Sequence, residues 1–288
     1  MKNILIFGVG LIGGSIALKS KHTKLFKQVV AVERKGGTSL SPFLKSGMLD
    51  HISTNLSNDI ADADLIIIAT PVAQIYEVLK NIYPHLKLNT VITDVGSTKS
   101  NVMDDAAKAL KEKSIQFIGS HPIAGSEKHG ASAATINLFE GKNIIITPPA
   151  EAPDFMNKMI NQFWSSMGGH ITVMTPKEHD EIFSTVSHLP HILAFGLVNL
   201  INDNKKKETL LNFAASGFRD FSRIAASSPE VWRDISIANK VAILDDLSLY
   251  QSELIKITSL INNEDQEGLK NYFTNASSTR QNWVAKKN

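Results

Sequence analysis

The chain has 288 residues, 43% of them hydrophobic, and its 30 basic against 28 acidic residues leave a formal charge of +2. That length supports two domains with cores of their own, while so small a charge excludes the long-range positive field that draws nucleic acid or an anionic membrane. With no cysteine there is no disulfide, thiolate metal site or cysteine nucleophile, which suits a reducing compartment, and a cytoplasmic location is expected.

From the start to about Val173, short β-branched runs alternate with helical patterns, as in a parallel sheet with crossover helices. Strands are predicted at Asn3 to Phe7, Val29 to Glu33, Leu65 to Ala69, Val91 to Asp94, Gln116 to Ile118, Asn143 to Thr147 and Ile171 to Val173. Several are apolar without alternation, as strands covered on both faces must be. Helices are predicted near Ile12 to Ser20, Ala73 to Ile82, Lys99 to Lys111 and Pro153 to Met167. The apolar run from Ile4 to Leu18 has the outline of a secretory leader, but it holds four spaced glycines and no small-residue cleavage site follows it.

Those glycines form the turn Gly8-Val9-Gly10-Leu11-Ile12-Gly13, which follows a strand, opens a helix and precedes by about twenty residues the acid Glu33 at the end of the next strand. The context is that of a Rossmann-type dinucleotide site. Gly8 permits the tight turn, Gly10 lets backbone approach a pyrophosphate, and Gly13 lets helix and strand pack closely. Backbone amides at the helix start, including those of Leu11 and Ile12, then face the phosphates. The Glu33 carboxylate suits ribose hydroxyls and repels a 2′-phosphate, so NAD is expected over NADP, with Arg34 beside it working against that preference.

Three later strand ends reach the same side of the sheet. Thr70 and Pro71 are candidates to line the cofactor, although a plain strand-to-helix turn accounts for them nearly as well. In Asp94-Val95-Gly96-Ser97-Thr98-Lys99, Ser97 or Thr98 suits a helix cap or a hydroxyl reaching into the crevice. The strand ending in Gly119-Ser120-His121-Pro122 delivers an imidazole to the same edge.

After Met174 the pattern turns helical. Thr175-Pro176-Lys177-Glu178 reads as a capped helix start with proline at the first helical position. Helices are predicted from Pro176 to about Ile201, Lys207 to Ala215, Pro229 to about Ile261 and Asp265 to Lys286. The expected organisation is therefore an α/β dinucleotide-binding domain over 1–174 and an all-helical domain over 175–288. The apolar stretch Leu189 to Ile201 is too short for a bilayer and is interrupted by Pro190, His191 and Asn199, so no membrane span is expected. The helix from Pro229 carries a broad apolar stripe, including Ile235, Val241, Leu244 and Leu247, that fits either the domain's own core or a homodimer interface.

Gly-Ser-Thr-Lys at 96–99, His-Pro-Ile-Ala-Gly-Ser-Glu at 121–127, Ser-His-Leu-Pro-His at 187–191 and Gly-Phe-Arg-Asp-Phe-Ser-Arg-Ile-Ala at 217–225 together resemble the prephenate/arogenate dehydrogenase family of tyrosine biosynthesis. The resemblance implies an NAD-dependent oxidative decarboxylation of prephenate to 4-hydroxyphenylpyruvate. It implies that His121 takes the ring-hydroxyl proton, that Ser97 bonds near that hydroxyl and the nicotinamide, and that Arg223 holds a substrate carboxylate. By the same resemblance His188 and His191 face the cleft from the helical domain, His191 being the substrate contact. Glu127 with Arg219 or Asp220 resembles a polar network at the active-site entrance, and Arg219 stands where relatives carry lysine. Within 288 residues neither a fused chorismate mutase domain nor a regulatory amino-acid-binding domain is expected.

Other readings remain open for these residues. Arogenate is the rival substrate, separated from prephenate by a few polar contacts for which His191 and Arg219 are candidates. Another two-domain dehydrogenase, acting on 3-hydroxyacids or imino acids, would rely on a lysine or other donor in the helical half. An NAD-sensing protein would not need Ser97, His121 and Arg223 together. His188 and His191 are spaced for a metal but lack a third ligand cluster, so no metal is expected.

Overall fold

The computed structural model describes residues 3–33, 39–125 and 130–285. Two compact units emerge, Met1–Lys240 and Val241–Asn288. Unit 1 begins with β1 (Asn3–Phe7), α1 (Leu11–Thr23), β2 (Gln28–Val32), α2 (Ser41–Lys45), β3 (His51–Ile52), α3 (Leu56–Asp62), β4 (Leu65–Ile68), α4 (Ile75–Ile82), β5 (Val91–Asp94) and α5 (Ser100–Leu110). These five strands form a parallel sheet in the order β3-β2-β1-β4-β5. The order reverses direction beside β1, which places a crevice at the carboxyl ends of β1 and β4.

The central strands are buried on both faces, from Ile4 to Phe7 and Leu65 to Ile68, which is why they read as unbroken apolar runs. One apolar cluster, with Ile16, Ile118, Phe163 and Trp164, fills the α1 side. The other, with Leu79, Val102 and Phe117, fills the side of α4 and α5.

The expected single sheet is corrected beyond β5. Residues 116–118 are not a strand; the chain passes β5 through a lone parallel bridge between Ile92 and Phe117, and β6 (Gly119–Pro122) starts afterwards. With β7 (Asn143–Thr147), α6 (Asp154–Ser166) and β8 (His170–Val173) it builds a second sheet, β6-β7-β8, in which β6 is antiparallel. Buried polar bonds explain the switch. Asp94 at the end of β5 accepts the Ser120 amide at 3.0 Å, and the Ser120 hydroxyl meets Thr93 Oγ1 at 2.7 Å and the Trp164 indole at 3.0 Å. His121 thus lies within a strand rather than past the end of one.

The helical half follows as α7 (Pro176–Phe183), α8 (Leu189–Asn202), α9 (Lys207–Asn212), α10 (Ser216–Ser222) and α11 (Pro229–Ala238) in unit 1. Thr175 caps α7 by accepting the Glu178 amide at 3.2 Å, and Ser228 caps α11 by accepting that of Val231. A π turn, Ser184–His188, joins α7 to α8 and advances the side chains that follow by one residue around the axis. The resulting 27-residue helix, Pro176–Asn202, is long and apolar enough to cross a membrane by length and composition, unlike the shorter run expected from sequence. Its start is tied by buried polar bonds to α5.

The predicted helix from Pro229 breaks at Asn239, whose side chain donates to the Asp180 carbonyl at 2.7 Å and lies 3.1 Å from His188 Nδ1. Helix α12 (Lys240–Asn262) begins there, and α13 (Gln266–Ala285) is the last element among the described residues. Unit 2, from Val241, leaves Val241, Leu244, Leu249, Ile255 and Trp283 exposed. The compact units divide near 240, because α7 to α11 pack with the dinucleotide-binding part.

Candidate active site

The glycine turn is shaped by contacts that only glycine tolerates. Gly8 has φ +88°, and a Cβ there would sit 2.6 Å from the Ala69 backbone. A Cβ at Gly13 would come within 2.1 Å of the Gly8 carbonyl oxygen. Gly10 differs, since a Cβ there would meet no protein atom within 4 Å. The openness at Gly10 is the space that a close-lying ligand backbone requires.

Two cavities share Gly10, Ala69, Thr70 and Pro71 as a wall. One, of about 660 Å³, runs over Gly8 and Gly10 toward Val32 and Leu40. The other, of about 360 Å³, is lined by Gly10, Leu11, Ile12, Gly96, Ser97, His191 and Trp232 among others. Thr70 Oγ1, on the shared wall, is buried without a hydrogen-bond partner in the protein, so this threonine presents an unmet polar atom to whatever fills the crevice. An open Gly10, a helix N-terminus with no side-chain cap among the described residues and an orphaned hydroxyl fit a dinucleotide.

Glu33 is exposed just beyond β2, and its Oε1 accepts the Leu40 amide at 2.6 Å. One carboxylate oxygen is thus bonded at the start of α2. Arg34 lies outside the described residues, as does Glu127.

On the opposite wall His191 is half-buried, stacks on Trp232 with ring centroids 3.8 Å apart, and has its Nδ1 2.8 Å from the Ser187 carbonyl. A carbonyl only accepts, so Nδ1 carries the proton and Nε2 is the acceptor edge. Burial lowers the pKa of His191, against the Ser187 carbonyl and with the help of the Arg223 charge. Arg223, exposed at the end of α10, thus lies within electrostatic reach of His191. Arg219 and Asp220 are exposed on α10 and are not among the residues around the cavity.

His188 requires correction. It was expected to face the cleft, but it is buried against Asn239, edge-on to Trp232 at 6.1 Å, and does not line the cavity. The π turn, invisible in an apolar sequence pattern, turns it inward. Burial pushes its pKa down to about 4, with His179 and His191 opposing its charge and Asp180 favouring it.

Behind Ser97 lies a charged layer that motif reading missed. Lys99 is fully buried and pairs with Asp94, whose Oδ2 also accepts the Gly96 amide at 2.8 Å. This holds the 95–97 loop in place. His121, half-buried in β6, has Nδ1 2.8 Å from His179 Nε2, and His179 Nδ1 is 2.8 Å from Asp180 Oδ1. Burial first, then the charges of His179, Lys99 and His188, hold the His121 pKa well below its ordinary value. A neutral imidazole results, suited to accept a proton. Among the described residues no group of three or more His, Asp or Glu side chains could hold a metal ion. A further cavity of about 830 Å³ lies within unit 2, between α12 and α13.

Comparison with known proteins adds the family. Residues 16–173 match the prephenate dehydrogenase nucleotide-binding domain, and residues 175–275 match the prephenate dehydrogenase dimerization domain. The chain is 38% identical over 279 residues to a prephenate dehydrogenase of Bacillus subtilis, covering 96% of this chain and 75% of that protein. It is 31% identical to a cyclohexadienyl dehydrogenase of Zymomonas mobilis, covering 97% and 95%. The crystal structure of prephenate dehydrogenase from A. aeolicus in complex with hydroxyphenyl propionate and NAD+ superposes with a TM-score of 0.90 at 32% identity over 98% of both chains. The chain belongs to the prephenate dehydrogenase family.

Proposed function

We propose that this chain is an NAD-dependent prephenate dehydrogenase that oxidatively decarboxylates prephenate to 4-hydroxyphenylpyruvate. The observation that carries the reading is one cavity lined by Gly10 and Thr70 of the glycine-turn side together with Ser97, His191 and Trp232. Relatives named prephenate dehydrogenase at 38% and 32% identity favour prephenate over arogenate as the substrate.

Gly8, Gly10, Leu11, Ile12, Gly13, Thr70 and Pro71 would hold NAD, with Glu33 taking a ribose hydroxyl. When bound, NAD supplies the hydride acceptor. His121 accepts the proton of the ring hydroxyl, and its low pKa keeps it in the basic form at neutral pH. Ser97, in the loop held by Asp94 and Lys99, hydrogen-bonds near that hydroxyl. His191 presents Nε2 to the substrate, and Trp232 covers its ring face. Arg223 binds a carboxylate through a planar fork that lysine does not offer. Arg219, Asp220 and Glu127 would order the entrance, and His188 supports the site from behind.

We also propose a cytoplasmic homodimer formed through the helical domain. Val241, Leu244, Leu249 and Ile255 are exposed apolar side chains of the kind that a partner copy covers. Light scattering should give twice the 31.5 kDa chain mass.

Steady-state assays with prephenate and arogenate, each with NAD and NADP, test the assignment. Prephenate with NAD should have the highest kcat/KM, and a higher value for arogenate would overturn it. His121→Asn should lower kcat on the order of a hundredfold at neutral pH with NAD affinity retained.

A further inference from the structure

Helix α7 contributes two consecutive side chains, His179 and Asp180, which are 0% and 4% exposed. Asp180 is bonded on three sides. Its Oδ1 accepts the Lys99 amide at 2.7 Å and meets His179 Nδ1 at 2.8 Å, while Oδ2 accepts the Ser100 amide at 2.8 Å. Burial works to raise its pKa, but the bonds from His179, Ser100 and Lys99 prevail and the pKa is lowered, so it is a carboxylate at neutral pH.

An ionised carboxylate can only accept, which fixes the protons along the chain of rings. His179 must carry hydrogen on Nδ1 to donate to Asp180. Its Nε2 is then the lone-pair nitrogen and accepts from His121 Nδ1, 2.8 Å away. His121 is consequently left with an unprotonated Nε2, the nitrogen that His179 does not occupy.

We propose that His179 and Asp180 are positioning residues that hold His121 in the Nδ1–H tautomer and receive its charge during turnover. This rests on the reading of His121 as the base. As the substrate's O–H bond breaks, its proton forms an N–H bond at His121 Nε2 and the electron pair stays on the substrate oxygen. The His121 Nδ1–H proton then moves to His179 Nε2, so the positive charge comes to rest on a ring already bonded to Asp180. No proton is lost or gained overall.

The surroundings suit such a transfer. Phe183 lies against both rings, at centroid distances of 5.0 Å from His121 and 4.5 Å from His179, and shields them from water. The charged and titratable groups facing the pair are Lys99 and Asp94 from the β5–α5 segment, Asp180 from α7 and His188 from the π turn. Lys99 disfavours a charge on either ring and His188 one on His121, whereas Asp180 and Asp94 favour a charge on His179 alone. The asymmetry drives the proton inward from His121 to His179.

Two measurements decide the matter. Nitrogen-15 NMR of histidine-labelled protein without ligands should give His121 as the Nδ1–H tautomer; finding the Nε2–H tautomer overturns the proposal whatever the substrate is. His179→Ala should lower kcat on the order of a hundredfold, leave KM for prephenate little changed, and move the acid limb of the kcat/KM profile to higher pH as the ring becomes hydrated. His179→Gln, whose Oε1 can still accept from Nδ1–H, should restore the tautomer and recover about tenfold of the loss. Equal kcat in wild type, Ala and Gln variants refutes the role. Absence of prephenate turnover in the wild type would instead refute the assigned reaction, with the NMR result still deciding the tautomer. If His179→Ala does not fold, the Gln variant and the wild-type spectrum decide.

Discussion

Exchanging the glycines of the first turn for alanine should separate binding from folding. At Gly13 the new methyl would sit 2.1 Å from the Gly8 carbonyl oxygen and 3.2 Å from Ala69 Cβ. The former is more than an ångström inside ordinary contact with a backbone atom that cannot rotate away. A cost of about 3 kcal/mol is expected, at the upper end for overpacking. For a chain of this size that corresponds to a Tm lower by roughly 6–12 °C. Gly10→Ala meets no protein atom within 4 Å and has φ −99°, which alanine adopts freely. Its Tm should therefore hold or rise by the effect of a stiffer unfolded chain, about 0.4–1 kcal/mol. The same methyl projects where two cavities meet, so NAD affinity should fall about tenfold or more, at least ~1.4 kcal/mol. Calorimetric titration with NAD and thermal melts of both variants provide the readout. Gly10→Ala that binds NAD as wild type does, or Gly13→Ala that melts as wild type does, would refute the reasoning.

Arg223→Ala should raise KM for prephenate about ten- to a hundredfold, the equivalent of 1.5–3 kcal/mol for a charge-assisted bond, with Tm unchanged; a fall in Tm at constant KM would mark the arginine as structural. Lys99→Met leaves Asp94 buried without its cation, although the Gly96 and Ser120 amides still bond it. A loss of about 3 kcal/mol is expected, toward the lower end for a broken buried pair, read as a lower urea midpoint. His188 gives a pH signature. Its folded pKa of about 4 lies below the 6.5 of the unfolded chain, so the unfolded state binds the extra proton and stability, full above pH 6.5, is lost as pH falls toward 4. His188→Gln should remove up to about 1.4 kcal/mol per pH unit of slope in that window, and an unchanged slope from urea melts would count against a neutral buried His188.

How much could be read beforehand follows from the range of each interaction. The glycine turn, the buried parallel strands and the Thr175 cap are local, so period and spacing revealed them. The strand at 116–118 failed because Phe117 and Ile118 look like strand residues, while the pairing is decided by Asp94 and Trp164, both distant in sequence. The break at Asn239 was hidden because asparagine amid an apolar stripe reads as an exposed helical residue, whereas here its amide bonds the Asp180 carbonyl. Likewise His179 and Asp180 sit in Glu178-His179-Asp180-Glu181, a charged run that suggests a solvated helix face. Only the fold turns two of those four side chains inward. A usable signal existed in Lys99, since a lysine behind the Gly-Ser-Thr turn needs a carboxylate partner once the strand end is buried.

The three bonds received by Asp180 also bear on how this chain can be dissected. Asp180 supplies acceptors to the first amides of α5, a helix of the dinucleotide-binding part, from a position beyond residue 174. A fragment ending at 174 would therefore carry an α5 stripped of the carboxylate that caps its first amides. The junction between the two family domains is a seam in ancestry only; as a place to cut the chain, swap a cofactor module or insert a hinge, it would fail.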